Sequence, residues 1–373
     1  MLAYRDQGGD VAVISPAGDV PRNLTGDASS DGVHQQPTWG PNGLLAWTAI
    51  DRRAGTSTVR IAGVEEGEPA EVEVPVAPFY FYWSPDGRNL AALGSGEATL
   101  ELWLVDADEE PVEATAEGSP FYFSWSPDGQ RMITHVGNET LSVLTLDGTA
   151  AVLSEESSGY QAPEWSTRDQ LVHVAAGRQT LAALGPVAQA DSTLDLVLMD
   201  ASGAEVQLLH SFQGAASFSF SPDGKDLAYS VTPLQDRART GVNFGPVVVV
   251  DLDTLESTPV SSDPVVLYQW SPNGDSLLMA AVVVEGSTRE LRWRVWSRDG
   301  TEDFESFIPT AEFSTAYLPF WDQYAQSVRL WSPDGRAFVY TAVDASTDFV
   351  MVQMLSEDLP RRLTQGSVAF WSR

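Results

Sequence analysis

The chain has 373 residues, 43% of them hydrophobic, so it can bury a large core and global disorder is excluded. With 21 basic against 52 acidic residues its net charge is −31, which repels nucleic acid and anionic lipid. It contains no cysteine, which excludes disulfides and cysteine-ligated metals. No stretch is long and apolar enough to span a bilayer. The first residues resemble the middle of a folded unit, which suggests that an upstream signal or membrane anchor was removed.

One pentapeptide, Trp-Ser-Pro-Asp-Gly, recurs along the chain at intervals of 40 to 61 residues. Its proline presets φ, its Asp or Asn suits the next position, and its glycine accepts the left-handed conformation that closes a turn. A turn of this kind between two β-rich runs predicts a hairpin, and its repetition predicts a propeller or solenoid. The complete and degenerate copies begin at Trp39, Trp83, Trp125, Trp165, Phe220, Trp270, Trp331 and Trp371.

Each repeat contains four short apolar runs, which predict four strands. No 3.6-residue amphipathic period is present, so we expect few helices. The predicted strands of the second repeat are 79–83, 90–93, 100–105 and 112–115, and those of the third are 121–125, 132–136, 141–146 and 151–154.

The two ends of the chain complement each other. Residues 2–25 supply three strands with no Trp turn before them, and residues 368–371 supply one strand with nothing after it. Pairing them would remove exposed edges and close a ring. We therefore predict an all-β fold in which residues 1–373 form a single closed β-propeller of eight four-stranded blades, or seven if the Trp165 repeat is not a blade. The long intervals place insertions at 178–192, 233–244 and 301–327.

These repeats resemble the TolB-type, WD-repeat-like β-propeller family. The resemblance rests on Trp-Ser-Pro-Asp-Gly turns, on Leu-Ala-Tyr at residues 2–4 and 227–229, and on Pro-Arg-x-Leu-Thr at residues 21–25. It implies a periplasmic or surface-exposed bacterial propeller that binds proteins. The best-known member of the family has six blades beside a separate α/β domain, and this chain departs on both points. A role in the Tol envelope system is therefore not implied.

Two groups of aromatic residues are candidates for ligand binding. The first precedes the Trp turns of the second and third repeats, on what would be innermost strands at one mouth of the channel. Aromatic rings there could stack on sugars, peptides or aromatic ligands. Alternatively they fill the funnel and the interface between blades. The residues of this group are Phe79, Tyr80, Phe81, Phe121, Tyr122 and Phe123.

The second group lies in the longest insertion. An aromatic loop with a lone carboxylate is typical of a binding lid, although it could also be a plug that covers the channel. For a lid, replacing Trp321 and Tyr324 with alanine would leave stability nearly unchanged. For a plug, stability would fall. The residues of this group are Tyr317, Phe320, Trp321, Asp322 and Tyr324.

The sequence offers few residues or motifs that could act in catalysis. The four histidines lie in different repeats and never at ligand spacing, and neither a Gly-x-Ser-x-Gly elbow nor a Gly-rich phosphate loop occurs. Acidic runs at 65–68 and 106–110 could hold calcium, but they read more simply as solvated turns. We therefore predict no catalytic residue, no metal and no cofactor.

The functional hypothesis is a non-catalytic propeller, periplasmic or at the cell surface, that binds a protein, peptide or glycan through loops at the channel mouth. The alternatives are an extracellular carbohydrate-active hydrolase or lyase with its site in the funnel, and a structural subunit of an envelope or surface assembly. A carboxyl group with a strongly raised pKa beside the channel would favour the enzyme.

Overall fold

The computed structural model describes residues 1–63, 69–106, 114–137, 140–155, 157, 161–177, 193–233, 235–236, 245–285 and 288–373. The acidic run 65–68, most of the run 106–110, the insertion 178–192 and most of the insertion 233–244 lie outside these residues. Nearly all regular structure in the described part is antiparallel β-strand, arranged in seven sheets.

Five of the sheets have four strands in up-and-down order, as the repeats predict. Four of these five follow the chain without interruption. The first consists of β4 (Gly32–Trp39), β5 (Leu44–Asp51), β6 (Thr56–Gly63) and β7 (Ala70–Glu73), and the second of β8 (Pro78–Trp83), β9 (Asn89–Ser95), β10 (Leu100–Asp106) and β11 (Ala116–Gly118). The third consists of β12 (Phe121–Trp125), β13 (Arg131–Val136), β14 (Thr140–Thr145) and β15 (Ala150–Ser154). The fourth consists of β16 (Glu164–Trp165), β17 (Gln170–Ala176), β18 (Leu194–Asp200) and β19 (Glu205–Phe212).

The fifth four-stranded sheet joins the two ends of the chain. Its strands, from the inner edge outward, are β30 (Val368–Trp371), β1 (Leu2–Arg5), β2 (Val11–Ile14) and β3 (Arg22–Asn23). Strands β1 and β30 pair in antiparallel register from Leu2 opposite Trp371 to Arg5 opposite Val368. The predicted pairing of the terminal segments is therefore present.

A seven-stranded sheet replaces two separate four-stranded sheets. Its fourth strand runs for 14 residues, and it pairs with one neighbour through its first half and with the other through its second half. The repeats that begin at Phe220 and Trp270 are thus joined by one continuous strand. In order the strands are β20 (Ala215–Phe220), β21 (Asp226–Thr232), β22 (Gly245–Asp251), β23 (Ser257–Trp270), β24 (Ser276–Glu285), β25 (Thr288–Ser297) and β26 (Gly300–Phe307).

The seventh sheet has three strands, β27 (Ala337–Asp344), β28 (Thr347–Met354) and β29 (Arg361–Gln365). Its inner edge is occupied by the repeat tryptophan itself, since Trp331 forms an isolated bridge with Phe338.

Observed strands agree closely with the predicted ones where a full repeat is described. In the third repeat β12 has the predicted bounds, β13 and β15 each begin one residue earlier than predicted, and β14 is shifted by one residue at both ends. The outer strand of the second repeat was predicted at 112–115 but lies at Ala116–Gly118. The insertion predicted at 301–327 begins later, because β26 extends to Phe307 and pairs with β25.

The repeated turns form as their composition requires. In the turn of the second repeat the Gly87 N–H donates to Ser84 O at 2.9 Å, and Gly87 has φ of +71°. The Asp86 carboxylate accepts from the Ser84 hydroxyl at 2.6 Å and from the Arg88 N–H at 3.1 Å. The turn carboxylate therefore stabilises its own loop.

Indole groups of four repeat tryptophans link successive repeats. The Nε1–H of Trp125 donates to the carbonyl of Tyr82, the residue before the tryptophan of the preceding repeat, at 2.9 Å. Trp83, Trp270 and Trp331 make the same bond to Thr38, Ser219 and Gln269 at 3.0 to 3.2 Å. Each such ring is buried, so one side chain both fills the space between sheets and fixes their separation.

The remaining insertion is helical. After β26 the chain forms a π-helical turn (Phe313–Tyr317), a 3-10 turn (Leu318–Phe320) and a short α-helix, α1 (Trp321–Ser327). No helix in the described residues is long and apolar enough to cross a membrane.

The tryptophan link gives a test of the fold. Replacing Trp125 with alanine should lower the free energy of unfolding by about 3–5 kcal/mol, because a buried ring is lost and the Tyr82 carbonyl loses its donor. Trp125→Phe keeps much of the volume and should cost less, about 1 kcal/mol for the bond. Chemical denaturation of the three proteins measures both values. A Trp125→Ala cost under about 1 kcal/mol would contradict this packing.

Candidate functional site

The helical insertion lies across the inner edges of the sheets. Helix α1 contacts β8, β12, β20 and β23, which belong to three different sheets. The segment before it is tied to the sheet of the chain ends, where Glu312 forms an ion pair with Arg5 at 2.7 Å. The insertion therefore sits at the predicted channel mouth.

Gln323 is the most heavily bonded side chain of α1. It is 3% exposed, and its Nε2 donates to the Tyr80 hydroxyl at 2.7 Å and to the Phe123 carbonyl at 2.7 Å. Its Oε1 accepts from the Phe123 N–H at 3.0 Å. The Tyr80 hydroxyl in turn donates to the Gln323 carbonyl at 3.1 Å. One amide thus satisfies buried polar groups on two inner strands.

Other side chains of α1 bond to inner-strand carbonyls in the same manner. Trp321 Nε1 donates to Tyr268 O at 3.1 Å, and the Tyr324 hydroxyl donates to Phe79 O at 2.7 Å. From the opposite direction, Gln269 Nε2 donates to the carbonyl of Val328, just after the helix, at 2.8 Å. The helix is held from several sides by backbone groups that no strand partner uses.

Most of the residues predicted to bind a ligand are buried in this packing. Rings of Tyr80 and Tyr324 meet edge to face at 5.2 Å, and those of Tyr317 and Tyr324 lie 4.6 Å apart. Phe79 and Asp322 are partly buried, and Phe320 is 48% exposed. Those that are buried are Tyr80, Phe81, Phe121, Tyr122, Phe123, Tyr317, Trp321 and Tyr324.

The structure brings part of the two groups together. Tyr80, Phe121 and Phe123 join Tyr317, Trp321 and Tyr324 in one apolar cluster, as expected for aromatics that converge at a mouth. Phe81 does not belong to it, because it packs against the preceding sheet beside Trp83. The sequence leaves open whether the insertion is a lid or a plug. The burial of its aromatic rings favours the plug.

Little space remains beneath the insertion. A cavity of about 30 Å³ lies between α1 and strands β20 and β23, lined by Ser217, Tyr268 and Trp321 among others. That volume suits a water molecule or two. Ligand pockets for small molecules usually occupy about 300–1,000 Å³.

A carboxyl group that sequence reasoning missed lies on the inner strand β16. Burial raises the pKa of Glu164 to about 8, although its carboxylate accepts from the Phe220 N–H at 3.0 Å and from the Ser219 hydroxyl at 3.4 Å. The sequence held a signal for it. Glu164 directly precedes the repeat tryptophan, a position that holds no other charged residue in the eight repeats.

Two arginines lie near this carboxyl, around the ring of Tyr82. Burial and the charge of Arg373 lower the pKa of Arg329 to about 10. The Arg373 guanidinium lies 5.7 Å from the Tyr82 ring centre and donates to Gln326 O at 2.8 Å. No carboxylate in the described ranges pairs with either arginine. Arg373 instead satisfies carbonyls at the C-terminal end of α1, where positive charge is favourable.

Comparison with known proteins identifies the architecture. No family model matches the sequence, and no curated protein matches it. The β-propeller domain of the Trilobed protease from Pyrococcus furiosus superimposes with a TM-score of 0.57 at 14% identity, covering 90% of this chain and 98% of that one. This chain has a β-propeller fold.

Two further structures belong with this comparison. An oligogalacturonate lyase from Vibrio parahaemolyticus superimposes on this chain with a TM-score of 0.54 at 14% identity, covering 90% of this chain and 87% of the lyase. TolB from Acinetobacter baumannii superimposes with a TM-score of 0.41 at 14% identity, covering 90% of this chain and 80% of TolB. That TM-score is too low to support an argument. At these identities the likeness concerns the fold alone. The Pyrococcus propeller is described as having an open velcro topology, whereas here β1 and β30 pair.

The bonds of Gln323 give a test of the plug. Gln323→Leu keeps a similar shape but leaves the Phe123 N–H and the Phe123 carbonyl without partners, at about 1–3 kcal/mol each. Denaturant unfolding should therefore show a loss of at least about 2 kcal/mol. Gln326→Leu, which removes one partly buried bond to Pro163 O, is the matched control and should lose less. Equal effects of the two changes would contradict the central role of Gln323.

Glu164 predicts a pH dependence of stability. Its pKa is raised from 4.5 to about 8 in the folded protein, so the folded state holds a proton that the unfolded state releases. The contribution of this group to stability therefore falls as pH rises from about 5 to about 8. Glu164→Gln removes the titration, so its stability relative to wild type should increase across that range. If the free energies of unfolding of wild type and Glu164→Gln changed in parallel from pH 5 to pH 9, the raised pKa of Glu164 would be refuted.

Proposed function

We propose that this propeller is a non-catalytic binding module that acts outside the cytoplasm and captures a protein or peptide on the face closed by the helical insertion. A glycan remains the other ligand class that the exposed ring of Phe320 would fit. The observation that carries the proposal is the closed mouth, because a filled channel leaves the outer surface of the insertion as the place where a partner can bind.

The proposed architecture is one domain of eight blades closed in a ring. Eight copies of the repeat, the last cut short at Trp371, support that count; the seven-stranded sheet supplies two blades and Trp331 supplies the inner position of the last. Inner strands of successive sheets contact each other, including β30 with β4, β4 with β8, β12 with β16, and β16 with β20. A rigid ring with variable connections is the usual platform for recognition by loops.

The exposed part of the insertion supplies the contact surface. Phe320 is 48% and Ile308 45% exposed, while Phe313 and Tyr317 between them are buried. An exposed aromatic on a rigid support is typical of a binding hot spot, since little conformational entropy is lost on contact. Of the residues predicted from sequence, Phe320, Asp322 and the partly buried Phe79 are proposed to face the partner. The buried ones are proposed to hold that surface in place.

Location in the periplasm or at the cell surface is part of the proposal. It is supported by the resemblance of the repeats to TolB-type propellers. The charge of −31 weighs against nucleic acid as the partner and favours one with a basic surface.

A carbohydrate-active enzyme is the second candidate, and Glu164 is the observation in its favour. A carboxyl group protonated at neutral pH could act as a general acid, and one structural neighbour is an oligogalacturonate lyase. The closed mouth argues against access to Glu164 from the side of the insertion. Product formation from oligogalacturonate by wild type, lost in Glu164→Gln, would replace the binding proposal.

Capture of a partner should depend on Phe320. Replacing it with serine should weaken binding by on the order of tenfold, the size of a hot-spot loss, while the melting temperature stays unchanged because the ring is exposed. Wild type, Phe320→Ser and the control Leu359→Ser would be immobilised and compared for proteins captured from an envelope extract. Leu359 is 62% exposed in the turn between β28 and β29, at the opposite end of the sheets.

The control decides the outcome. A protein retained by wild type and by Leu359→Ser, but lost by Phe320→Ser, is the expected partner. Identical capture by all three proteins would refute binding through the insertion.

A further inference from the structure

Away from the insertion, three potential metal ligands come together near the sheet of the chain ends. One ligand atom from each of Asp10, Asp27 and His34 lies within 4.8 Å of the other two, the one such group in the part of the chain that the structure describes. We propose that Asp10, Asp27 and His34 form a binding site for a divalent transition-metal ion.

These residues come from three consecutive elements of two adjoining sheets. Asp10 lies between β1 and β2, Asp27 lies in the connection from β3 to β4, and His34 lies in β4. All three are at the end of the sheets that also carries the helical insertion, because connections of an up-and-down sheet alternate between its two ends. An ion here would link the sheet of the chain ends to its neighbour.

His34 is the observation that distinguishes this group from an ordinary acidic turn. Its side chain is 3% exposed, and its Nε2 lies 2.8 Å from Asp27 Oδ1. Its Nδ1 is buried and has no hydrogen-bond partner within the described residues. A buried ring nitrogen without a partner costs free energy, and a neutral imidazole nitrogen is a common metal ligand.

The Asp10 carboxylate is held by hydrogen bonds to one of its two oxygens. Both the Thr25 hydroxyl, at 2.8 Å, and the Ala28 N–H, at 3.1 Å, donate to Asp10 Oδ1. The bonds fix the carboxylate while Oδ2 stays available. Support of a ligating carboxylate by hydrogen bonds is usual around protein-bound metals.

The charge balance suits a divalent cation. The two carboxylates carry a charge of about −2, which one divalent ion neutralises. The nearest cation is Arg60, whose Nη1 lies 3.8 Å from Asp27 Oδ2 while its Nε lies 2.9 Å from Glu71. Arg60 therefore pairs more closely with Glu71 than with Asp27, and its longer contact with Asp27 can be replaced by a metal ion.

An open cleft adjoins the ligands. Asp27 and His34 line a cleft of about 400 Å³ together with Asp31, Asp51 and Arg53. Water or an oxygen donor of a bound molecule could complete the coordination from there. A mixed nitrogen and oxygen set with open positions suits Zn²⁺ or Mn²⁺, whereas Ca²⁺ prefers six to eight oxygens.

Titration calorimetry of tag-free, EDTA-treated protein with Zn²⁺ and with Mn²⁺ tests the site. We expect one ion of at least one of these metals per chain, no competition from Ca²⁺ at equal concentration, and a melting temperature that rises with saturating metal. His34→Gln and Asp27→Asn should each weaken binding by at least about tenfold. The carboxylate of Asp27 is 64% exposed, so this variant gives an answer even if His34→Gln fails to fold.

Two matched variants exclude adventitious binding. His210→Gln removes an exposed histidine, and Asp31→Asn removes a carboxylate of the same cleft that is outside the proposed set. Both should bind metal as wild type does. Failure of wild type to bind either metal, unchanged binding in Asp27→Asn, or loss of binding in His210→Gln would each overturn the proposal.

Discussion

Each sheet of this propeller is apolar on both faces, so it is stable only when its neighbours cover it. The repeat tryptophan meets that constraint. Its ring packs between successive repeats, and in four of them its indole N–H donates to a carbonyl of the preceding inner strand, as between Trp125 and Tyr82. Where the repeat has Phe220 instead, no indole is present. There the carboxylate of Glu164 reaches across and accepts from the Phe220 N–H. This bond holds Glu164 in a buried position, and that burial raises its pKa to about 8.

The helical insertion depends on the same arrangement. Inner strands at the mouth expose backbone groups that no further strand can satisfy, and Gln323, Trp321 and Tyr324 supply the missing partners. Aromatic residues that resemble a ligand platform in the sequence are used for this purpose. The surfaces proposed for function therefore lie farther out, at Phe320 on the insertion and at the cleft beside His34.

The sequence predicted what local chemistry controls. The turns, the strands of the third repeat and the pairing of the chain ends follow from Pro, Gly and alternating apolar residues, and they agree with the structure. It could not predict that β23 would join two repeats, because the proline-containing segment 259–264 gives no sign of a continuous strand. Nor could it show that α1 would pack against the inner strands of three sheets, since the partners of Gln323 are 200 and 243 residues away. The meeting of Asp10, Asp27 and His34 likewise depends on how two sheets adjoin.

The continuous strand β23 has a mechanical consequence. Elsewhere a blade is joined to the next by a flexible connection and by side chains, so the two can tilt slightly against each other. Across β23 the backbone ladder passes from one blade into the next without a break, over 14 residues. That pair of blades must move as one stiff plate. Relative motion of the sheets is therefore concentrated in the other junctions, among them the one where β1 and β30 pair.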